Sequence, residues 1–305
     1  MIRIEGLCKS FGRAVAIEDV SFTVPTGDAV ALWGINGAGK STVIRCVLGL
    51  FRFRGQIEVG GCDVRRQGKR ARQLIGYVPQ ELGFYDDLRV GEAIRFFARL
   101  KGVSSSEVDD VLDRVSLGGQ AAKRVRELSG GMKQRLALAI ALIGNPPILV
   151  LDEVTASLDA CGREEFVALL GQLSEGGRTL LFASHRVDEV TTLAKRVITL
   201  DRGKIAHECL ASEFVPQLGL GTLLHFHLSP QVCDAAMTAL RASGFAPRPN
   251  GVGLLVPVPS EQKAAPFRVL ADARISIDDF EVIATSVSGS KTATQHTARE
   301  RESTP

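Results

Sequence analysis

The chain has 305 residues, a formal net charge of +3 and hydrophobic residues at 45% of its positions. This length allows one large domain and a small second one, and the composition is that of an ordinary globular protein. A net charge this small argues against a protein that grips nucleic acid by bulk electrostatic attraction, so we expect no nucleic-acid partner.

Cysteine usage and the N-terminal sequence indicate the compartment. The six cysteines are scattered without a C-x-x-C pair, which favours free thiols in a reducing compartment over disulfides or a zinc site. The first residues, MIRIEGLCKSFG, carry charges where a signal peptide needs an apolar stretch. No run approaches the roughly 18 uninterrupted apolar residues of a spanning helix. We therefore expect a cytosolic protein that would serve a membrane only through a partner.

The first 65 residues are predicted to be rich in strands, at RIEGLCKSF, VAIEDVSFTV, AVALWG and GQIEVGGCDV. A glycine-rich loop and a helix at about 40–48 interrupt them. Between about 87 and 144, apolar residues recur every three or four positions in VGEAIRFFARLKG and SEVDDVLDRVSL, which indicates amphipathic helices. Ser105 or Ser106 is the candidate start of the second of these helices.

Strands and helices alternate in the next part of the chain. The short apolar runs PILVLD and TLLFAS flank a predicted helix near 162–174. This alternation indicates a mostly parallel sheet that is covered by helices. The stretch RVITLDRGKIAHE is typical of a hairpin, whose turn is predicted at 201–203.

The C-terminal part predicts a smaller second domain. TLLHFHLS, FAPRP, GVGLLVPVP and ISIDDFEVIA are predicted strands, and PQVCDAAMTALRASG and SEQKAAPFRVLADA are predicted helices. The resulting order, βαββαβ, is that of a ferredoxin-like unit, which we place at 222–286. The polar segment 287–305 is poor in apolar residues and is expected to be disordered.

The stretch GINGAGKS, at 34–41, fits G-x-x-x-x-G-K-[ST] and lies between a predicted strand and a predicted helix. Glycines let backbone N–H groups approach phosphate oxygens, and the helix N-terminus adds its dipole. Lys40 would reach the β- and γ-phosphates, and the Ser41 hydroxyl would bind Mg²⁺. The candidate nucleotide-binding residues of this loop are Gly34, Asn36, Gly37, Ala38, Gly39, Lys40, Ser41 and Thr42.

Two carboxylates, Asp152 and Glu153, end the apolar strand of ILVLDE. A strand end that opens on the phosphate crevice can hold a metal with one carboxylate and a water molecule with the other. Asp152 would hold Mg²⁺ through water, and Glu153 would orient or deprotonate the attacking water. Phosphoryl transfer needs little beyond such positioning and charge neutralisation.

The order of six short motifs resembles the ATP-binding-cassette (ABC) ATPases. The motifs are the P-loop, YVPQE, LSGGMKQR, ILVLDE, SLD and ASH, and the resemblance covers about residues 2 to 215. It implies an α/β P-loop NTPase cassette at 1–215, with a mixed sheet core, an antiparallel β subdomain and a helical subdomain, ahead of the small ferredoxin-like α+β domain. It also implies ATP and Mg²⁺ as cofactors and ATP hydrolysis as the reaction.

The resemblance implies roles for three further residues around the nucleotide. Phe11 matches an aromatic residue that stacks on adenine, where tyrosine is commoner in the family. Gln80 matches a glutamine that senses Mg²⁺ and the membrane partner, and His185 matches a switch histidine at the γ-phosphate. Lys40, Gln80, Glu153 and His185 are thus the predicted catalytic residues, and Gln80 joins Ser41 and Asp152 in the predicted metal set.

The resemblance also implies a dimer. Ser129, Gly130 and Gly131 match the signature that caps the γ-phosphate of a second subunit, and Asp159 matches the loop that links the two sites. Two cassettes pair head to tail in this family, so one chain with both motifs implies a homodimer. ATP binding would close the dimer and hydrolysis would open it, driving a separate polytopic permease. The chain would then lie at the cytoplasmic face of the cell membrane.

Within the family, GYVPQELGFYDDLRVGEAIRFFARLKG resembles type 2 exporter cassettes. The chain looks most like the cassette of the nitrous-oxide-reductase maturation system, which serves copper or sulfur chemistry in the periplasm and would give the permease a periplasmic partner. A generic exporter of lipid, polysaccharide or drug stays open beside it. A soluble cassette protein, for example in sulfur assembly, and an importer cassette are the remaining alternatives.

Two histidines of the second domain form an H-x-H pair. His225 and His227 alternate with apolar residues in LLHFHLS, so both imidazoles share one strand face. Such a pair can bind copper or zinc, and Cys233 is not far along the chain. The alternative is that both histidines lie on the open face of the sheet without a ligand role.

Overall fold

The computed structural model describes residues 1–104, 107–217, 221–249, 253–259 and 262–284. It divides into two compact units, Met1–Phe214 and Val215–Pro305. The segment predicted to be disordered, 287–305, and the predicted helix start at Ser105 or Ser106 lie outside the described residues.

The strands, in chain order, are β1 (Ile2–Phe11), β2 (Ala14–Val24), β3 (Ala29–Trp33), β4 (Arg54–Val59), β5 (Cys62–Asp63), β6 (Ile75–Val78), β7 (Ile148–Asp152), β8 (Thr179–Ser184), β9 (Arg196–Asp201), β10 (Lys204–Leu210), β11 (Gly221–His227), β12 (Arg248–Pro249), β13 (Gly253–Pro259) and β14 (Asp279–Ala284). The helices are α1 (Lys40–Val47), α2 (Gly68–Gln73), α3 (Val90–Lys101), α4 (Glu107–Arg114), α5 (Gly130–Leu142), α6 (Ala160–Glu175), α7 (Val187–Leu193), α8 (Ala211–Gln217), α9 (Pro230–Ala242) and α10 (Ala265–Asp272). A short 3₁₀ helix lies at Val125–Glu127.

The first unit contains an antiparallel sheet in the order β2-β1-β4-β5. In β1, Ile2 and Ile4 are buried while Arg3 and Glu5 are exposed, the alternation of a strand that has one covered face. The buried side chains join a core that also includes Val43 and neighbouring residues of α1. The strands predicted in the first 65 residues are therefore confirmed, within a few residues at their ends.

The second sheet of the first unit has the order β10-β9-β3-β8-β7-β6, and its pairs are parallel except for the β9–β10 hairpin. Strands β3, β7 and β8 are buried along their whole length, as expected for a sheet covered on both faces. Trp33 pairs with Ser184, and Asp152 pairs with Ala183. The carboxyl ends of these strands therefore lie together at one edge, where the predicted site residues follow.

The helices of 90–142 confirm the predicted helical region, with α3 and α4 both packed against α5. Three short helices, α2, α7 and α8, were not predicted. In α2, GKRARQ, only Ala71 is buried, so the sequence has no apolar periodicity from which a helix could be inferred.

The second unit is an antiparallel sheet in the order β12-β13-β11-β14 with α9 and α10. Leu224 and Phe226 of β11 pack with Leu240 of α9 and Leu270 of α10 in one core. Strands and helices follow each other in the predicted order, although the strand expected at FAPRP is limited to two residues, Arg248–Pro249.

Candidate nucleotide site

A cavity of about 520 Å³ lies at the carboxyl end of β3, where the glycine-rich loop leads into α1. It is lined by Val15, Ala16, Asn36, Gly37, Gly39, Lys40, Ser41, Thr42, Gln80, Glu153 and Arg202. Eight of these residues are predicted site residues, drawn from three separate motifs. The hairpin-turn residue Arg202 and the β2 residues Val15 and Ala16 were not predicted, because no motif marks them.

The loop before α1 requires glycine for steric reasons. Gly39 has φ of 109°, and a Cβ there would lie 2.5 Å from Ile17 Cδ1. A Cβ on Gly34 would lie 2.4 Å from the carbonyl oxygen of Leu200. Gly39 is the N-cap of α1, which has no side-chain cap and no acidic residue in its first turn. This helix N-terminus can therefore receive an anion.

Lys40 lines the cavity and is buried, with 3% of its surface exposed. Its Nζ donates to the carbonyl oxygens of Gly34 at 2.7 Å and Ile35 at 3.2 Å. It also forms an ion pair with Glu153 Oε1 at 3.0 Å. Buried charges are costly unless they are paired, so these contacts hold Lys40 in place within the loop.

Glu153 links Lys40 to the predicted switch histidine. Its Oε2 lies 3.3 Å from Nδ1 of His185, and its side chain is 8% exposed. The backbone of Glu153 is in the left-handed region, with φ of 47°, and its N–H donates to the carbonyl of Ala183 at 3.1 Å. Non-glycine residues adopt this conformation at an energetic cost, and such strain is concentrated at functional sites. The carboxylate is thus fixed between two basic side chains.

Asp152 forms an oxygen pair with Ser41, which lines the cavity. Ser41 Oγ donates to Asp152 Oδ1 at 2.8 Å. Asp152 is 1% exposed, and its Oδ2 has no hydrogen-bond partner among the residues described. Burial raises the pKa of Asp152, although the hydrogen bond from Ser41 acts in the opposite direction. A hydroxyl beside a carboxylate oxygen without a partner is an oxygen donor set that fits Mg²⁺.

Phe11 is one of the predicted nucleotide contacts that the cavity lining does not include, beside Gly34 and Ala38 of the glycine-rich loop. Its ring, at the end of β1, is 47% exposed and packs edge-on against Phe51 at 5.2 Å between centroids. Lys9 Nζ lies 4.6 Å from the Phe11 centroid, a cation–π distance. An adenine-stacking role for Phe11 therefore stays a prediction.

The signature residues and Asp159 lie outside this cavity lining, at the starts of two helices. Ser129 Oγ accepts from the Met132 N–H at 3.3 Å at the start of α5, and Asp159 Oδ1 accepts from the Gly162 N–H at 2.8 Å at the start of α6. A Cβ on Gly131 would lie 3.7 Å from Leu158, which precedes Asp159. Signature and linking loop are therefore close to each other within the chain.

A buried hydrogen-bond network, not predicted from the sequence, is centred on Glu189 of α7. Ser184 Oγ donates to Glu189 Oε2 at 2.7 Å, and Thr155 Oγ1 donates to Glu189 Oε1. Arg186 Nε lies 3.6 Å from Oε1, and Glu189 is 5% exposed. The network joins the loop after β7 to the end of β8, directly before His185. Thr155 and Glu189 are 34 residues apart in the sequence, and neither belongs to one of the six motifs.

The two histidines of the second unit lie side by side, with 4.0 Å between ring centroids. Cys233 packs against the core that contains Phe226, on the face of the sheet that the helices cover. The two histidines alternate along β11 with the core residues Leu224 and Phe226, so they point to the other face. Cys233 is therefore not placed as a third ligand. The described part of the chain contains no group of three or more His, Cys, Asp or Glu residues that could hold a metal ion.

Comparison with known proteins identifies the family. A family model described as ABC transporter matches residues 17–156. The chain is 32% identical to the linearmycin resistance ATP-binding protein LnrL of Bacillus subtilis over 247 residues, 79% of each chain. It is 38% identical to the Nod factor export ATP-binding protein I of Rhizobium sp. (strain N33) over 208 residues, 67% of this chain and 68% of that protein.

Further comparisons agree. The lantibiotic transport ATP-binding protein SrtF of Streptococcus pyogenes is 35% identical over 209 residues, 68% of this chain and 90% of that protein. The solved cassette MJ0796, a dimer in a post-hydrolysis state bound to ADP and Pi, has a TM-score of 0.63 at 25% identity and covers 69% of this chain and 99% of its own. The chain therefore belongs to the ABC transporter family as an ATP-binding subunit, and it is an ATPase.

The alignment to LnrL covers 79% of the chain, which is more than the first unit, Met1–Phe214, contains. The similarity to LnrL therefore continues into the second unit. Among the residues that the structure describes, none of the helices combines the length and apolar character that a membrane crossing requires.

Proposed function

We propose that the chain is the ATP-hydrolysing subunit of a membrane exporter of the type 2 class. It would work as a head-to-tail homodimer on a separate polytopic permease at the cytoplasmic face of the cell membrane. The names of the relatives, which concern linearmycin resistance, Nod factor export and lantibiotic transport, support export. The observation that carries the ATPase part is the ion pair between Lys40 and Glu153, which both line the cavity, together with the contact of the same carboxylate to His185.

In this proposal the phosphates of ATP lie at the N-terminus of α1. Lys40 exchanges the carboxylate of Glu153 for phosphate oxygens, while the loop amides and the helix dipole stabilise the remaining negative charge. The backbone amides of Asn36, Gly37 and Gly39, which line the cavity, would be the donors of this loop, and Thr42 lines the cavity next to Ser41. Phe11 would stack on the adenine ring.

Ser41 and Asp152 would hold Mg²⁺, with Gln80 at the same cavity. The metal neutralises developing charge on the phosphate oxygens when it is bound. Glu153, once released from Lys40, accepts the proton of the attacking water, and His185 orients that carboxylate through its contact at 3.3 Å. Gln80 would report the occupancy of the site to the permease.

The dimer would complete each site with the signature of the other chain. Ser129 and the following Gly130 and Gly131 begin α5, so a helix N-terminus with small residues would face the γ-phosphate bound by the partner. Asp159 would connect the two sites through the loop that lies beside Gly131. Closure on ATP and opening after hydrolysis would move the permease.

For the second domain, at about 222–286, we propose a ferredoxin-like fold after the cassette of 1–215. The element order βαββαβ and the sheet order β12-β13-β11-β14 support this assignment. The narrower hypothesis, a cassette for nitrous-oxide-reductase maturation with a periplasmic copper partner, finds no support in the relatives named above. A generic exporter of lipid, polysaccharide or drug is consistent with them.

The test is to trap the Glu153→Gln protein with ATP in native membranes, purify it and identify its companions by mass spectrometry. We expect a dimer together with a polytopic membrane protein. Glu175→Gln, an exposed carboxylate at the end of α6, is the matched control and should not trap the complex. Recovery of soluble proteins alone, with none from the membrane, would refute the transporter proposal while leaving the ATPase in place.

A further inference from the structure

A second cavity of the first unit, of about 740 Å³, lies beside the end of α1 and α2. We call it the basic pocket; it is lined by Gly49, Leu50, Phe51, Arg52, Phe53, Val64, Arg65, Gly68, Lys69 and Arg72. None of the residues predicted to contact ATP is among them. The basic pocket therefore needs a separate explanation.

The segment around the basic pocket carries an unusual charge. Seven basic and two acidic residues lie between 51 and 72, which gives this segment a formal charge of +5, above the +3 of the whole chain. The basic residues are Arg52, Arg54, Arg65, Arg66, Lys69, Arg70 and Arg72. Positive charge is thus concentrated on one short segment rather than spread over the chain, and such a patch attracts anions.

None of these seven side chains forms an ion pair within the described ranges of the chain, and all seven are exposed. Asp63, one of the two acids, accepts the backbone N–H groups of Arg65 at 2.8 Å and Arg66 at 2.9 Å, and these bonds lower its pKa. The other acid, Glu58, accepts from Gln56 at 2.7 Å. The guanidinium and ammonium groups are therefore available to an external anion.

Apolar groups lie next to these cations. Leu50 is 59% exposed, and the rings of Phe51 and Phe53 are partly exposed in the pocket wall. The guanidinium of Arg65 lies 5.8 Å from the Phe53 centroid. Cations beside exposed aromatic and aliphatic groups suit the membrane interface, where phosphate and apolar carbon are adjacent.

We propose that the basic pocket binds the phosphate groups of anionic phospholipids and so holds this face of the cassette against the membrane. This inference rests on the proposed function, because it requires the chain to work at a membrane. Six of the seven cations are arginines, whose planar guanidinium matches phosphate bidentately. The lining of the basic pocket has cations and no acidic residue, which suits the uniformly negative surface of a bilayer with anionic lipids.

The test is flotation of the purified full chain with vesicles of phosphatidylcholine, with and without phosphatidylglycerol. We expect binding only to the anionic vesicles, weakening as salt is raised. Arg65→Gln/Lys69→Gln/Arg72→Gln should lower the affinity by about ten- to hundredfold, from the loss of three cations near a charged surface. Its ATPase rate should equal that of wild type, which also verifies that the variant is folded.

The control is Arg241→Gln/Lys263→Gln/Arg268→Gln, which removes the same charge from exposed positions of the second unit. It should bind vesicles like wild type. Equal losses in both variants would show a non-specific charge effect, and displacement by inorganic phosphate at matched phosphate concentration would show a site for soluble phosphate. Either outcome overturns the proposal. A third outcome also overturns it: the triple variant of the basic pocket binds vesicles like wild type but no longer co-purifies with the permease, which would indicate an acidic protein partner. If the wild-type chain itself recovers no permease, the exporter proposal fails instead.

Discussion

The cavity at the start of α1 and the basic pocket lie in the same unit, but their basic side chains differ in burial and in pairing. In the cavity, Lys40 is buried and paired with Glu153 at 3.0 Å, whereas the arginines of the basic pocket are exposed and unpaired within the described residues. A buried charge depends on its partner for stability, whereas an exposed one is solvated by water. Substitutions in the cavity should therefore change stability and activity together, and substitutions in the basic pocket should change binding alone.

The largest effect is expected for Lys40→Met. It removes the ammonium that we propose binds phosphate, and it leaves Glu153 buried without the cation of Lys40. We expect ATP turnover to fall by about 100-fold or more, as when one electrostatic contact to the transition state is lost. The free energy of unfolding should fall by about 3 kcal/mol, the cost of breaking a buried pair.

The double variant Lys40→Met/Glu153→Gln separates these two effects. It should recover most of the stability lost in Lys40→Met, since no unpaired charge remains, but none of the activity. Urea unfolding and ATPase rates of the four proteins in the cycle provide the measurement. Additive losses of stability would mean that the two side chains do not interact in solution.

Asp152→Asn should shift the dependence of ATP affinity on Mg²⁺ to higher Mg²⁺ concentrations. The metal affinity should fall by about 10- to 100-fold, as for other losses of carboxylate support at a metal site. Titration of ATP binding with Mg²⁺, in wild type and in the variant, measures this change. Equal Mg²⁺ dependence in both proteins would remove Asp152 from the metal site.

The pH dependence of the same variant follows from burial, which raises the pKa of Asp152 above its ordinary value of 3.8. A raised folded-state pKa means that the protonated form stabilises the fold; this contribution is fully present below the ordinary value and is lost as pH rises through the raised pKa. At neutral pH the ionised carboxylate costs stability, so Asp152→Asn should be more stable than wild type without Mg²⁺. Urea unfolding of both proteins, from below the ordinary pKa value up to neutral pH, tests whether the variant becomes the more stable protein.

Glu189→Ala should have a smaller effect, because Glu189 positions loops rather than touching the nucleotide. Without it, the Thr155 and Ser184 hydroxyls lose their buried acceptor and the segment before His185 can shift. We expect the kcat for ATP to fall by about tenfold with KM unchanged, since misplacement by about 1 Å can cost up to 100-fold. Glu189→Gln, which keeps one carbonyl acceptor, should recover part of kcat; a loss of stability without any change in kcat would contradict the positioning role.

The smallest effect is expected for Phe11→Ala. Stacking on a base contributes about 1–3 kcal/mol, and the ring is half exposed and already packed on Phe51, so ATP affinity should fall by tenfold at most. Phe11→Tyr keeps the ring face and should bind ATP like wild type. Unchanged ATP affinity in Phe11→Ala would show that Phe11 does not contact adenine.

Local motifs predicted most of the residues that line the cavity at the start of α1, because each motif lies within a few residues of sequence. The P-loop fixes Lys40 and Ser41 at the start of α1, and a strand-end motif supplies Asp152 and Glu153. The sequence could not predict the ion pair between Lys40 and Glu153, because pairing depends on how strands are ordered in the sheet.

Features built from distant or unmarked residues were missed. In the Glu189 network, Thr155 and Glu189 are 34 residues apart in the sequence, and only the fold brings them together. The net charge of the whole chain does not reveal the basic pocket. It is only +3, because the charge of +5 on the segment 51–72 is partly offset by a slightly acidic remainder. The strand order of the second unit likewise follows from tertiary packing, whereas its element order was predicted from apolar periodicity.

The central claim is that Glu153 is the catalytic base and is paired with Lys40 until phosphate replaces it. The most direct test is to measure ATP turnover and ATP affinity of Glu153→Gln beside wild type. We predict that turnover falls by about 100-fold or more, the contribution of a general base, while ATP binds at least as tightly because Lys40 has lost its competing partner. Near-normal turnover, or a weakened ATP affinity, would contradict the account.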